Sequence, residues 1–493
     1  DRRQRQMCIR DRLGLVMLNY DGVLGTTVIG ETGNNTLTIG TTTVTGGTTT
    51  FSDVLAMTNK LASDDAKAKN PFIVDNGDKG NAFFMTNTVL CDQPGGETDP
   101  KDGNLTVLAD LGTKLYPSAN EALENPMGTV FVERGVAKVT VSSPSMTVDF
   151  EWKASDAVGD AAAPTATIEG FNLGNVDYNS YVVRNMSSSY LGYASSITGV
   201  SKEKYRFVGA IKMGTSPWQD AVDYYRTYWA ETPSYETGRD FNNSYTAFTE
   251  GIGDNNPLYC FENTFKVANQ DYKNTTRAVL KVKFSNADFY IVNDNDEVFY
   301  TEENAKSRVV KYLTEIPELQ TEIKEAIKAN KGDVEFTETA AYADYMTITY
   351  EYETETGKVI VKDITPKDLG TSKTSFVFKD QAIVNVNAEV MVEKYTGGIA
   401  YYPIVIKHFG NDLTPWEHED DTNTAYGTTE DSYGTDPAAS QNYLGRYGLV
   451  RNNWYDINVT AIMKLGSPVD PAEGTVENKP CLLSTSDAAD DLT

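Results

Sequence analysis

Short segments with a strand signature run through almost the whole chain, and they limit what it can fold into. The strongest is Gly128–Val141 (GTVFVERGVAKVTV), in which side chains alternate with period two on each side of Arg134-Gly135. Successive residues of an extended strand point to opposite faces, so this alternation marks a half-buried strand. Gly135 interrupts the phase and is expected to form a bulge that restores it. Related Val-, Ile-, Thr- and Tyr-rich segments lie at Leu13–Tyr20, Phe83–Asp92, Asn104–Asp110, Met146–Trp152, Thr165–Phe171, Asn179–Asn185, Thr276–Phe284 and Asp288–Asn293. In the second half they recur at Tyr345–Tyr352, Lys358–Ile364, Thr374–Phe378, Val384–Tyr395, Ile399–His408 and Trp454–Met463. β-branched and aromatic residues suit a pleated, half-buried surface, so the chain reads as mainly β.

Helical signals are fewer. Ser52 is placed to cap a helix through Val54, Leu55, Met57 and Leu61, and Ser118–Asn125 reads as a short helix stopped by Pro126. Trp218, Val222, Tyr225 and Trp229 fall at helical spacing within Ser216–Pro233, an apolar stripe best read as a packing face. A longer helix is predicted from Glu303 to about Lys331, kinked or split by Pro317. Gly25–Thr50, rich in Gly and Thr, has little to bury and is expected to be an exposed loop or loose hairpin. Thr396-Gly397-Gly398 between two strand segments predicts a hairpin. Two groups of strands with inserted short helices and long loops suggest two antiparallel β-sandwiches.

The chain offers little chemistry. Lys and Arg number 43 against 70 Asp and Glu, a formal charge of −27 in 493 residues, which disfavours nucleic acid and anionic lipid as partners. No apolar run reaches the roughly 20 residues of a membrane-spanning helix. The only histidines are His408 and His418, too few for a histidine-rich metal site, and neither has a nucleophile motif beside it. The P-loop and the dinucleotide fingerprint are missing. Glu351 and Glu353 alternate on a strand, a spacing that a solvated face gives as readily as a hydrolytic pair. Asp75–Asp78 and Asn293–Glu297 carry oxygen ligands in sequence but lack the twelve-residue calcium-loop pattern, and Asp, Asn and Gly are first of all turn residues. No catalytic, cofactor or metal residue is assigned, and the chain is read as a non-enzyme.

The two ends differ from the interior. Asp1–Arg12 is strongly basic, and Cys481–Thr493 is unlike what precedes it. Codons for Arg2–Asp11 can be chosen so that their reverse complement reads LLYTSDAAD, and Leu482–Asp490 is LLSTSDAAD. Ends that encode each other's opposite strand resemble the translated adapter of a sequencing library, so both are excluded from fold reasoning and expected to make few contacts. Cys91 and Cys260 then remain, and two cysteines in so long a chain do not argue for or against a disulfide.

The C-terminal segments carry a family resemblance. Tyr401 and Tyr402 in a Tyr-rich strand, followed by Val450, Arg451, Asn452, Trp454, Tyr455 and Asp456 in YLGRYGLVRNNWYDINVTAI, resemble the C-terminal domain of type V pilins of the Bacteroidia, nearest the minor-fimbrillin shaft subunits. FFMTN at Phe83, VERGVAKVTV at Val132, IEGFNL with YVVRN from Ile168, YRTYWAETPSY at Tyr225, and LYCFENTF with TTRAVLKVKF from Leu258 follow in the family's order. The resemblance implies two transthyretin-like β-sandwich domains, exported as a lipoprotein and assembled at the outer membrane into a surface fimbrium. It implies polymerisation by insertion of a strand from a neighbouring subunit, with other copies or other fimbrial subunits as partners and host or bacterial surface ligands as targets of adhesion.

The expected organisation is a scar at 1–12, an N-terminal sandwich at 13–205 lacking its first strands, a connecting region with a helix at 206–271, a C-terminal sandwich with a helical insertion at 272–480, and a scar at 481–493. The first sandwich should be incomplete near Leu13–Tyr20. A glycan-binding β-sandwich lipoprotein, with Trp416 or Tyr426 as an aromatic platform, is the alternative.

Overall fold

The computed structural model of the chain describes residues 13–19, 36–39, 42–45, 48–60, 70, 72–75, 80–88, 90–91, 109–110, 116–125, 130–145, 147–148, 165–184, 207–212, 223–227, 232–233, 244–264, 274–285, 287–293, 299–315, 346–366, 380–406, 448–472 and 483–491. The principal strands are β1 (Met17–Leu18), β2 (Met85–Asn87), β3 (Val132–Arg134), β4 (Ala137–Ser142), β5 (Thr147–Val148), β6 (Thr167–Gly174), β7 (Leu258–Cys260), β8 (Arg277–Lys283), β9 (Phe289–Val292), β10 (Met346–Tyr352), β11 (Val359–Pro366), β12 (Val392–Tyr395), β13 (Ile399–Val405), β14 (Asn453–Ile462) and β15 (Leu483–Asp491). Helix α1 spans Glu302–Glu315, and α2 spans Asp380–Glu389. The protein is mainly β, as the strand segments predict.

Two sheets enclose the core. In the first, β4 and then β5 run parallel to β14, with Lys138 opposite Trp454 and Thr147 opposite Ala461. β7 pairs antiparallel with β4, and β15 pairs antiparallel with β14. In the second sheet β8 lies between β6 and β13, both antiparallel to it. Alternation then decides what is buried. Ala137, Val139 and Val141 of β4 and Tyr455, Ile457 and Val459 of β14 join the same apolar cluster as Phe171 and Leu173 of β6 and Ala278, Leu280 and Val282 of β8. On the opposite face of the second sheet, Lys281 and Lys283 reach Glu169. The expected division puts β4 and β14 in separate sandwiches at 13–205 and 272–480; here they are neighbours in one sheet, and both sheets draw strands from both segments. Pairing of strands more than 300 residues apart leaves no local signature.

Gly135 is the point where one strand segment passes from sheet to sheet. β3 pairs with β2, which pairs with β1, whereas β4 belongs to the first large sheet. The Gly135 amide donates to the Phe84 carbonyl at 2.9 Å, and a Cβ there would lie 2.6 Å from a Phe72 ring carbon. The predicted bulge is thus a transfer between sheets, and only a residue without a side chain fits against Phe72. β1 ends this three-stranded sheet, and Leu15 and Met17 pack against the main core. Asn87 holds the same segment by its amide, accepting from Val16 N at 2.9 Å and donating to Gly14 O at 2.8 Å.

Several expectations are corrected. Residues 223–227, predicted helical, form a strand between Phe207–Lys212 and Leu90–Cys91. Consecutive aromatic and β-branched residues favour the extended state once two partners are present. Residues 216–222 and 228–231 of that predicted helix, the span 316–331 of the longer one and Thr374–Phe378 lie outside the described residues. Val384–Tyr395 is not one strand: α2 ends at Glu389 and β12 begins at Val392. The first helix starts at Phe51, capped by Thr50 in a reciprocal pair with Asp53 rather than by Ser52. The Thr-rich segment, by contrast, holds a hairpin of Thr36–Ile39 with Thr42–Thr45, one of the two forms expected of it.

The Gly397-Gly398 turn does not close a hairpin either. β12 pairs with β9, and β13 pairs with β8, so the turn carries the chain between sheets. Last, the segment after Cys481, expected to make few contacts, forms β15 along the full length of β14. Main-chain hydrogen bonds need no particular side chains, so an exposed edge accepts a strand of almost any composition. Residues 1–12 lie outside the described residues.

Gly398 has φ +71°, and a Cβ there would collide with the Ser285 backbone. Gly398→Ala is expected to destabilise the fold by about 2 kcal/mol or more. Urea unfolding of the variant checks this, with Gly253→Ala as the control: Gly253 also has positive φ but open space around it.

Candidate assembly site

The residues singled out by the C-terminal motif surround β14 and fix its position. Arg451, just before the strand, is fully buried. Its Nε donates to Glu262 Oε1 at 2.8 Å, and its Nη2 donates to Ser180 Oγ at 3.1 Å and to the Tyr181 carbonyl at 3.0 Å. Glu262 also faces Arg184, whose Nε is 4.0 Å from its Oε2, and Arg184 Nη1 in turn reaches Glu133 Oε2 at 3.4 Å. Thr88 donates to that same Glu133 oxygen at 3.1 Å.

The result is an alternating chain Arg451–Glu262–Arg184–Glu133 without net charge, closed off from water. Burying four charges is expensive, and only alternation with dense hydrogen bonding offsets it. Burial alone would raise the Glu262 pKa. The Arg451 and Arg184 guanidiniums outweigh it and hold the carboxyl below the ordinary glutamate range. The chain ties β3 and the segments at 180–184 and 262 to the entry of β14.

The other motif residues set the register of β14 on β4. Asn452 takes a left-handed φ of +63°, which Asn tolerates better than most residues. Its Oδ1 accepts from Arg134 N at 3.2 Å and its own amide donates to Val136 O at 2.8 Å, so it straddles the Gly135 crossing. Val450 N donates to Tyr455 Oη at 2.8 Å, closing the turn before the strand. On the face away from the core, Trp454 Nε1 donates to Thr140 Oγ1 at 2.7 Å, and Thr140 donates on to Asp456 Oδ1 at 2.7 Å. Ser142 donates to Asp456 Oδ2, and the Lys138 ammonium sits 3.6 Å from the centre of the Trp454 ring.

Beyond β14, the segment Gly466–Pro468 folds over β13. Tyr401 and Ser467 exchange backbone hydrogen bonds at 2.8 and 2.9 Å. Tyr402 Oη donates to Lys464 O at 3.0 Å, and Tyr395 Oη donates to Gly466 O at 2.9 Å. All eight motif residues therefore lie on β13, on β14 or in the turn that leads into β14, and each polar one has a structural partner.

Every backbone position of β14 opposite β4 and β5 is thereby committed, and its second edge is left to β15. The ladder there runs from Asn453 opposite Asp491 to Ile462 opposite Leu483, with one irregularity between Val459 and Ala461. What this arrangement can do is pair strands. Among the described residues, groups suited to bond chemistry are not assembled around it. Glu351 is paired with Lys362 at 2.8 Å, and Glu353 accepts from Thr356, so the two carboxylates do not act together. Cys260 is a free, buried thiol, and burial pushes it up to about 12. Among the described residues there is no cluster of three or more His, Cys, Asp or Glu suited to a metal. His408, His418, Trp416, Tyr426, Asn76–Asp78 and Asp294–Glu297 lie outside the described residues.

Comparison with known proteins agrees with the motif. Residues 393–487, which hold β12, β13, β14 and the start of β15, match the family model "Major fimbrial subunit protein type IV, Fimbrillin, C-terminal", a description of a structural subunit and not of an enzyme. Among solved structures the chain is similar to a fimbrilin of Porphyromonas gingivalis W83, with 13% identity over 73% of this chain and a TM-score of 0.24. It spans 58% of that protein's chain. Two putative cell adhesion proteins are also similar. The one from Bacteroides eggerthii has 11% identity over 90% of this chain and 72% of its own, with a TM-score of 0.26. The one from Parabacteroides distasonis has 12% identity over 90% and 77%, with a TM-score of 0.27. No curated protein matches.

Arg451→Met is expected to leave Glu262 buried and under-compensated, with a loss of about 3–5 kcal/mol in denaturant unfolding. The Glu262 pKa is depressed in the folded state, so its contribution is present above the unfolded value and is lost as pH falls through the folded one. Stability should therefore fall steeply below about pH 4, and Glu262→Gln, already weakened, should show a shallower acid slope over the same range in pH-dependent melting.

Proposed function

We propose that this chain, fimbrillin-like in its C-terminal region, is a structural subunit of a surface fimbrium that polymerises head-to-tail by strand insertion and supports adhesion. One observation carries the reading: a single strand, β15, completes the open edge of β14 along nine paired positions, beside a motif whose side chains fix the entry and register of β14. An acceptor must be rigid before its donor arrives, and the Arg451–Glu262 chain and the Trp454–Thr140–Asp456 contacts give β14 that rigidity. Nine positions of ladder also bring many main-chain hydrogen bonds into one contact, so its dissociation requires the strand to peel away as a unit. A contact between unlike surfaces, the edge of one copy and the strand of the next, propagates into an open filament instead of closing as a dimer.

In this reading β15 stands where a neighbouring subunit's strand sits in the fibre. The N-terminal segment is the other element suited to exchange. It is held by short ladders, Met17–Leu18 with Met85–Thr86 of β2 and Leu13–Gly14 with Ala109–Asp110, and by the Asn87 and Asn19 side chains, with no long strand pairing among the described residues. Export as a lipoprotein and a position at the outer membrane belong to the same proposal, as do other fimbrial subunits as partners.

Deleting residues 483–491 tests it. The shortened chain has lost its donor strand and is expected to stay monomeric, and added peptide LSTSDAADD should bind it by refilling the vacated edge. A shortened chain that does not bind the peptide would contradict strand insertion at β14.

A further inference from the structure

Away from β14, a cavity of about 210 Å³ lies between α1, β9, β10 and β12. Its walls are the rings of Tyr290, Tyr350 and Tyr352, and α1 closes one side with Ala305 and Val309. Two ammonium groups stand over the rings. Lys306 Nζ is 5.4 Å from the Tyr350 centroid, and Lys394 Nζ is 5.3 Å from that of Tyr352. Each lysine is already matched by a carboxylate, Lys306 by Glu302 at 2.6 Å and Lys394 by Asp288 at 2.9 Å. The cavity therefore has polar groups at its rim without net charge to attract an ion.

Its least explained atom is the Tyr350 hydroxyl. That oxygen is buried and has no hydrogen-bond partner among the described residues. Burial, reinforced by the negative charge of Glu302, raises its pKa well above the ordinary tyrosine value, so it stays a neutral donor. A buried hydroxyl without a partner is unfavourable, and a ligand that accepts from it removes the penalty. Tyr352 beside it is 37% exposed, an aromatic face that a ligand can reach.

A fitting occupant is neutral, about one ring in size, apolar on one face and rich in hydroxyls at its edge. A pyranose meets all four conditions: its C–H face packs on an aromatic ring while its hydroxyls take charged and phenolic partners. The volume is below the roughly 300 Å³ at which drug-sized ligand pockets begin, so one sugar ring fits and a longer stretch does not. The geometry points to a binding site for a single neutral pyranose residue at the tip of a glycan, stacked on Tyr352 and hydrogen-bonded to the Tyr350 hydroxyl, Lys394 and Glu302. The site would give the subunit a sugar-recognising function separate from strand pairing.

The test is saturation-transfer NMR on the full chain with the methyl glycosides of glucose, galactose, mannose and N-acetylglucosamine. At least one should receive transfer. Tyr350→Phe, which removes only the unpartnered hydroxyl, should keep or raise thermal stability and weaken binding of that sugar about three- to tenfold, the equivalent of one hydrogen bond. Tyr352→Ala should abolish the transfer, and so should Ala305→Met, which fills the cavity from α1. Absence of transfer from the wild-type protein to all four glycosides would overturn the proposal, as would transfer unchanged by Ala305→Met. Concentration-dependent self-association abolished by Ala305→Met would also overturn it, since the cavity would then hold a neighbour's side chain. Because residues 483–491 are retained throughout, the outcome does not depend on whether strand insertion occurs.

Discussion

A guanidinium sealed from water dictates much of this structure. Arg451 sits at the mouth of β14 with no exposure, and such a group must find anions or the fold fails. Glu262 supplies one, Arg184 balances Glu262 on its other side, and Glu133 ends the series. The four residues come from points as distant in sequence as 133 and 451. Pairing them brings together the crossing at Gly135, the segment at 180–184 and the start of β14. Hydrophobic burial supplies the larger share of stability, but it is non-directional. The charges choose among the ways the strands could pack.

A second device recurs around this frame: asparagine side chains acting as strand neighbours. The amide of Asn87 serves Val16 N and Gly14 O, and the amide of Asn387 serves both the N–H and the carbonyl of Val361. Asn293 and Asn452 combine the same mimicry with left-handed backbone, accepting from Met391 N and Arg134 N. Each amide satisfies main-chain groups where a ladder stops, bulges or changes sheet. The short strands of this protein are thus closed by side chains at particular points, whereas the outer edge of β14 is closed by a whole strand.

The strands were legible in the sequence because period-two alternation is a local property. Ala137, Val139 and Val141 face the core just as the pattern of Gly128–Val141 requires. What resisted reading was either long-range or decided by context. The pairing of β4 with β14 joins residues over 300 positions apart. Val384 and Val386 alternate like a strand, yet Val386 and Val390 are the buried pair, at the i, i+4 spacing of a helix. The Trp218–Trp229 stripe has helical spacing, but Asp223–Thr227 found two strand partners. The motif around β14 was visible as a set of residues, and its partners Glu133, Arg184 and Glu262 were not. One signal could have found them: Val-Arg-Asn occurs at 183–185 and again at 450–452, and an arginine that directly follows a core valine, when buried, calls for carboxylates beside it.

The account turns on whether the edge of β14 takes a strand from another copy. Asn458 and Ser486 are opposite one another in the β14–β15 ladder. The most direct measurement mixes two singly substituted chains, Asn458→Cys and Ser486→Cys, under mild oxidation after partial opening in denaturant, and reads the disulfide by mass spectrometry. The account predicts a mixed dimer joined through positions 458 and 486, in register. A bond at those positions only when both cysteines sit in one chain, with no mixed product at any denaturant concentration, would contradict it.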